Sequence, residues 1–216
     1  MPYSALLCDL DGTLADSEPL HCTAWLDTLR EHYGLHYDEH WFEQWVGTSD
    51  VALAEGVIAE HGLAATTDEL SAAKRTAFHA AVRAAARSFP GVPEQLARLA
   101  AAGVPLAIAT NSGRADADLM IATLGLDRYT NVSVTASDVA RRKPHPDIYE
   151  LAAHRLGVDP RHCIALEDSR PGGEAAKAAG CYLIGLTPAV SMADELVEGN
   201  AEGIRRAGAL LDGFAW

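Results

Sequence analysis

Short apolar runs that break off in carboxylates or hydroxyls recur along this chain. Residues 5–8 end in Asp9, and residues 104–109 run into Thr110-Asn111-Ser112-Gly113. Residues 132–135 precede the polar stretch that holds Lys143, residues 163–166 end in Glu167-Asp168-Ser169, and residues 181–186 close the series. Runs of this length bounded by turn formers read as buried strands. Helix-period patterns lie between them at 94–102, 115–124, 146–156 and 173–179, each followed by a glycine: Gly103, Gly125, Gly157 and Gly180. A helix end favours a left-handed residue at that point. Strands alternating with helices of this length predict an α/β fold, a parallel sheet covered on both faces. Ligands of such sheets sit at the carboxyl ends of the strands, where the polar residues just named fall.

Residues 16–88 break the rhythm. They carry helical patterns at 20–33, 51–61 and 68–87 and no convincing strand, which predicts an all-helical insert. Phe89-Pro90-Gly91 marks the return, so the core comprises 1–15 and 89–216 and the insert 16–88. Trp41, Phe42 and Trp45 have helical spacing and read as insert core. The alanine-rich stretch 80–86 is a good helix former and needs no functional explanation. Beyond Thr187 only a terminal helix at 207–211 is predicted.

Composition narrows the class. A chain of 216 residues can bury one substantial core with a smaller insert, and its 49% hydrophobic and 22% charged residues are ordinary for a globular protein. The net charge of −13 disfavours nucleic acid and anionic membrane as partners, since both demand concentrated positive charge. It leaves room for a small anion, because a local nest of donors or a metal outweighs the global field. Cys8, Cys22, Cys163 and Cys181 form no metal-like spacing and read as buried reduced thiols. No signal-like N-terminus and no apolar stretch near the ~20 residues of a membrane span is visible, so a soluble cytoplasmic protein is expected.

Asp9-Leu10-Asp11-Gly12-Thr13 sets two carboxylates two residues apart, so an extended chain points both the same way. An EF-hand reading fails, because the glycine stands at position 4 of the would-be loop and position 12 is Leu20. Glu167-Asp168 brings two more carboxylates to the same edge, and an oxygen-rich cluster without histidine or cysteine suits Mg²⁺ better than Zn²⁺. A helix N-cap would explain one of those acids but not both. Lys143, one of three lysines, precedes Pro144-His145-Pro146, whose turn would set it near the acids. Thr110 offers a hydroxyl, and Asn111-Ser112 open a turn into a helix whose free N–H groups favour an anion. Together these are the parts of phosphoryl transfer to a carboxylate: Mg²⁺ and Lys143 would remove the repulsion between an attacking aspartate and a phosphate dianion.

Four of these segments, Asp9-Leu10-Asp11-Gly12-Thr13, Thr110-Asn111, Lys143-Pro144 and Glu167-Asp168, resemble in order and spacing the four motifs of the haloacid dehalogenase superfamily. Asp16-Ser17-Glu18, His21, Trp25, Ser169, Gly172, Ala176 and Gly180 make the chain look like its β-phosphoglucomutase-like branch, the likeness running to about Thr187. The resemblance implies a Rossmann-like core with an inserted helical cap. It implies Asp9 as nucleophile and Asp11 as general acid and base. Thr110, Asn111 and Lys143 would hold phosphate, and Asp9, the Asp11 carbonyl, Glu167 and Asp168 would hold Mg²⁺.

The implied reaction is hydrolysis of a small phosphorylated metabolite, a sugar or polyol phosphate. Asp11 and Glu167-Asp168 argue against dehalogenation, which uses no metal. The absence of any lysine before Lys74 argues against phosphonate hydrolysis through a cap Schiff base. An inactive binding scaffold would be expected to have lost one of the catalytic groups. Specificity would reside in cap residues such as His21, Trp45, Thr48, Arg75 and His79. Mutases of this branch carry basic residues around the glycine that here is Gly47, whereas this chain has Trp45-Val46-Gly47-Thr48-Ser49-Asp50. An acid there predicts a phosphatase, since it would repel a second phosphate. His21, Lys74 and Arg75 keep the mutase alternative open. Oligomeric state is not legible.

Overall fold

Among the described residues six strands form: β1 (Ala5–Cys8), β2 (Leu106–Ala109), β3 (Ser133–Val134), β4 (Cys163–Glu167), β5 (Tyr182–Gly185) and β6 (Glu195–Leu196). They make one all-parallel sheet in the order β3-β2-β1-β4-β5-β6. The computed structural model describes residues 3–46 and 48–211. The α/β, Rossmann-like expectation is met. The first three strands step outward in one direction and β4 returns to the other side of β1, so the order reverses beside β1. The crevice at such a reversal is where a doubly wound sheet binds ligand. β1 and β4, buried along their whole length, give the apolar runs seen in the sequence. β6 was not expected, because its two residues, Glu195 and Leu196, form no apolar run.

The chain divides into two units, one of residues up to Asp16 and from Arg87 onward, the other Ser17–Ala86. The helical unit contains α1 (Glu18–Tyr33), α2 (Glu39–Glu43), α3 (Asp50–His61) and α4 (Thr67–Ala85). α4 starts with a capping box in which Thr66 and Glu69 satisfy each other's backbone N–H groups. Trp25, Leu29, Phe42, Leu53, Val57 and Leu70 form its core, with Trp41 and Trp45 packed partly buried against it. The aromatic trio therefore serves as core, as its spacing predicts. Gly47 lies outside the described residues.

The sheet unit contains α5 (Val92–Ala101), α6 (Arg114–Leu124), α7 (Asp147–Leu156), α8 (Arg170–Ala179) and α9 (Asn200–Leu210). Leu7, Ala107, Ala109, Cys163, Ala165 and Leu183 turn to one sheet face, where Tyr149, Ala152 and Ala153 of α7 and Ala175 and Ala176 of α8 cover them. α9 lies against β4 and β5, with Gly203 against the Leu166 side chain. Truncating a core leucine such as Leu7 to alanine costs ~2–5 kcal/mol, so this sheet edge is held rigidly. Gly125, Gly157 and Gly180 cap their helices in left-handed geometry. α9 begins seven residues before the expected 207, because its glycines weakened the helical signal. Where the chain leaves and re-enters this unit, Asp16 N donates to Arg87 O (3.0 Å) and Arg87 Nε donates to Asp16 Oδ2 (2.9 Å). All four cysteines are free and buried. Among the described residues no helix is long and apolar enough to cross a membrane.

Candidate active site

β1 delivers Asp9 directly from the core. Its backbone N–H donates to Leu166 O (3.0 Å), and the N–H groups of Leu14 (2.9 Å) and Ala15 (2.8 Å) return to Leu10 O, which closes the turn. Leu10 enters the core while Asp9 and Asp11 reach the sheet edge, as alternation requires. Gly12 sits at φ +78, and a Cβ there would lie 2.1 Å from Asp168 Oδ2. Both its backbone conformation and that close approach demand glycine.

Lys143 is the hub of the site. Its buried Nζ donates to Asp9 Oδ1 (2.6 Å), Glu167 Oε1 (2.6 Å) and Ala109 O (2.7 Å), which uses all three of its protons. The Lys143–Pro144 peptide is cis. Asn111 clamps the lysine's backbone by accepting from Lys143 N (2.9 Å) and donating to Lys143 O (3.2 Å). Asn111 thus stands at the strand edge as expected, with its side chain engaged on the lysine loop.

Glu167 is wholly buried. Besides Lys143 it accepts from Tyr149 OH (2.7 Å) on one oxygen and from Ser169 Oγ (3.1 Å) on the other. A Cβ at Gly172 would fall 1.9 Å from its carboxylate, so helix α8 can approach only through that glycine. Ser169, not either acid, caps α8, accepting from Gly172 N (3.2 Å). Tyr149 escaped the sequence reading because its phenol sits in an otherwise apolar helix stripe. The available signal was that a buried tyrosine needs a hydroxyl partner.

Asp9, Glu167 and Asp168 each offer a carboxylate oxygen within 4.8 Å of the others. Burial, with the neighbouring charge of Glu167, pushes Asp168 up to about 7. Burial also raises Asp9 well above the usual carboxylate range; Lys143 opposes the shift, and Glu167, Asp168 and Asp11 add to it. Burial works against the Lys143 charge, but Asp9 and Glu167 outweigh it and hold the ammonium protonated. Three carboxylates against one ammonium leave the site short of positive charge. An all-oxygen donor set with that deficit fits a hard divalent cation.

Asp11 stands apart from this cluster. Its Oδ2 accepts from Ser112 Oγ (2.6 Å) and, at 3.5 Å, from Thr110 Oγ1. Thr110 is buried at the end of β2 and also receives Ser112 N (3.0 Å). The sheet unit therefore brings Asp9, Asp11, Thr110, Asn111, Lys143, Glu167 and Asp168 to one edge. The eighth candidate, His21, belongs to the helical unit. There its Nδ1 lies 2.7 Å from Lys74 Nζ, and its ring stacks on Phe78 with centroids 4.3 Å apart. Lys74 Nζ also donates to Asp50 Oδ2 (2.7 Å), and Trp25 Nε1 donates to Asp50 Oδ1 (2.9 Å).

A reversing parallel sheet whose strand ends gather acids around one lysine defines a class of α/β hydrolases, and the chain matches one such family over residues 3–180. It belongs to the haloacid dehalogenase-like hydrolases. It is 34% identical over 178 residues to the fructose-1-phosphate phosphatase YqaB of Escherichia coli K12, covering 82% of this chain and 93% of that one. It is 37% identical over 188 residues to the validoxylamine A 7'-phosphate phosphatase of Streptomyces hygroscopicus subsp. limoneus, 86% of each chain. The crystal structure of a HAD family hydrolase from Deinococcus radiodurans R1, with bound phosphate and sodium, superposes with a TM-score of 0.78 at 33% identity, covering 99% of both chains.

Proposed function

We propose that this protein is a Mg²⁺-dependent phosphatase that hydrolyses a small sugar or polyol phosphate through an aspartyl-phosphate on Asp9. The observation that carries this reading is the buried Lys143 ammonium fixed between Asp9 and Glu167, with Asp168 beside them and Asp11 two residues beyond the nucleophile. The named activities of the two phosphatase relatives point to phosphate monoesters of polyhydroxylated molecules. On this reading residues 1–15 and 89–216 are the catalytic core and 16–88 a helical cap. The free thiols fit a reducing, cytoplasmic setting.

The Asp9 carboxylate attacks phosphorus and the P–O bond to the leaving group breaks. Asp11, entering as the carboxylic acid, gives its proton to the departing alkoxide oxygen. As carboxylate it then takes a proton from water, whose oxygen attacks phosphorus and releases Asp9 and inorganic phosphate. Thr110 and the backbone donors that follow it hold phosphoryl oxygens. Lys143, its protons already committed, acts as a fixed positive charge that orients Asp9. Asp9, the Asp11 carbonyl, Glu167 and Asp168 would hold Mg²⁺, which supplies the charge neutralisation an anionic nucleophile needs against a phosphate dianion.

The test is turnover of a panel of sugar and polyol phosphates, fructose 1-phosphate among them, with Mg²⁺ and with a chelator. Activity should vanish on chelation and in Asp9→Asn, which keeps shape and loses the attacking charge. An Asp9→Asn enzyme retaining more than a few per cent of wild-type turnover would falsify the covalent route.

A further inference from the structure

We infer that Ser112 is the positioning residue for the acid/base Asp11, held through both halves of the reaction by a hydroxyl that can reverse its hydrogen bond. The inference rests on the phosphatase reading and assigns a role to a residue outside its four motifs. Ser112 Oγ donates to Asp11 Oδ2 at 2.6 Å, and Asp11 and Ser112 are both half-buried. The only other side-chain donor to Asp11 among the described residues is Thr110, at the 3.5 Å limit. The serine is itself fixed by its backbone: its N–H donates to Thr110 Oγ1 (3.0 Å), and its carbonyl accepts from Ala136 N (3.2 Å). The Oγ therefore sits on a rigid mount between β2 and α6, and its orientation sets that of Asp11.

The chemistry of the partner is what singles it out. Asp11 must carry a proton when the alkoxide leaves and lack one when water is activated. A lysine or arginine against Asp11 would lock it ionised and disable the acid step. A hydroxyl is neutral and both donates and accepts. It donates to the Asp11 carboxylate and, after rotation of its O–H, accepts from the carboxylic acid. The heavy atoms need not move, and no proton enters or leaves the pair except the one exchanged with the leaving group or with water. The 2.6 Å contact is thereby kept through both half-reactions.

The experiment compares kcat/KM, which covers the steps through leaving-group departure, for p-nitrophenyl phosphate, phenyl phosphate and glycerol 2-phosphate with Mg²⁺ present. The esters form a series of increasing need for a proton. A misplaced acid costs up to about 10²-fold where that proton is required and less where it is not. Ser112→Ala should therefore raise the ratio of p-nitrophenyl to glycerol phosphate kcat/KM by about tenfold or more. Ser112→Thr, which keeps the hydroxyl, should restore the wild-type ratio. Ser112→Cys, a weak donor of similar size, should fall between. Equal losses on all three esters, or no rescue by threonine, overturn the inference while leaving the phosphatase reading intact. A wild-type enzyme inert towards these three esters and towards the whole sugar and polyol phosphate panel removes the phosphatase reading and this inference together.

Discussion

At the scale of single residues, the site is a charge arrangement in which neutral groups decide the geometry. Tyr149 illustrates this: its OH holds Glu167, and its ring lies 5.0 Å from Lys143 Nζ. Burial and the Glu167 charge raise the phenol well above its ordinary range, so it stays protonated as a donor. Tyr149→Phe keeps the ring and removes that donor. Because groups behind a metal ligand typically set affinity by about 10-fold or more, Mg²⁺ binding measured calorimetrically should weaken by about that factor. Unchanged affinity would show that Glu167 does not depend on the phenol. Asp11→Asn removes the proposed acid, and general acid–base catalysis is typically worth ~10²–10⁴-fold. The loss should be steeper for an alkyl ester than for p-nitrophenyl phosphate, and equal losses would take Asp11 out of the acid role.

At the scale of elements, the loops that carry the site are tied by ion pairs on the flank of the sheet. Asp138 joins three of them: it binds Arg114 of α6, accepts from Arg155 of α7 (3.3 Å), and accepts from Thr135 N and Oγ1 (2.8 Å each) after β3. Burial alone would raise its pKa, but the Thr135 and arginine hydrogen bonds prevail and hold the carboxyl far below its ordinary value. A depressed carboxyl stabilises the fold above its unfolded pKa of about 3.9, and that contribution fades as pH falls further. Asp138→Asn should cost about 2 kcal/mol in urea unfolding at pH 7, with the gap to wild type shrinking below about pH 4. A gap of equal size at pH 7 and pH 3 would contradict the assignment. The stem α6, whose N-terminus follows Thr110-Asn111-Ser112, is anchored by this network, so the mutation should also lower turnover more than it raises KM.

At the scale of the whole molecule, the question is hydrolysis against phosphoryl relocation between two positions of a sugar. The acid at Asp50 was expected to repel a second phosphate. Within the helical unit that carboxylate is instead compensated: Lys74, 2% exposed, is ion-paired to it at 2.7 Å, and its own carboxyl is lowered by Lys74 and His21 against the opposing effect of burial. The repulsion argument weakens, but so does the mutase alternative. The lysine that could have held a distal phosphate already spends its charge on Asp50. The expected outcome with β-glucose 1-phosphate, Mg²⁺ and a trace of the bisphosphate is release of inorganic phosphate. Glucose 6-phosphate appearing faster than free phosphate would sink the phosphatase reading.

Much of this was determined by the sequence alone, because the signals were local. A buried parallel strand must be an apolar run, and a run that stops at Asp9, Thr110 or Glu167 declares a strand end facing a ligand edge. Gly125, Gly157 and Gly180 marked helix ends because the left-handed geometry there excludes most other residues. The four motifs, in order along the chain, mark the candidate reacting groups without reference to the fold. Only the tertiary structure could decide which partner each group meets. Lys143 reaches Asp9 across 134 residues of chain, Tyr149 finds Glu167 across 18, and Ser112 finds Asp11 across 101. Nothing periodic marks such pairings, and a serine in a turn or a tyrosine in a helix stripe looks the same with or without them. Likewise Asp50 read as an uncompensated acid until α4 was seen to lay Lys74 against it. Local periodicity records which face of an element is buried; hydrogen-bond partners are set by the three-dimensional packing of elements far apart in the chain, and that packing arranges the chemistry here.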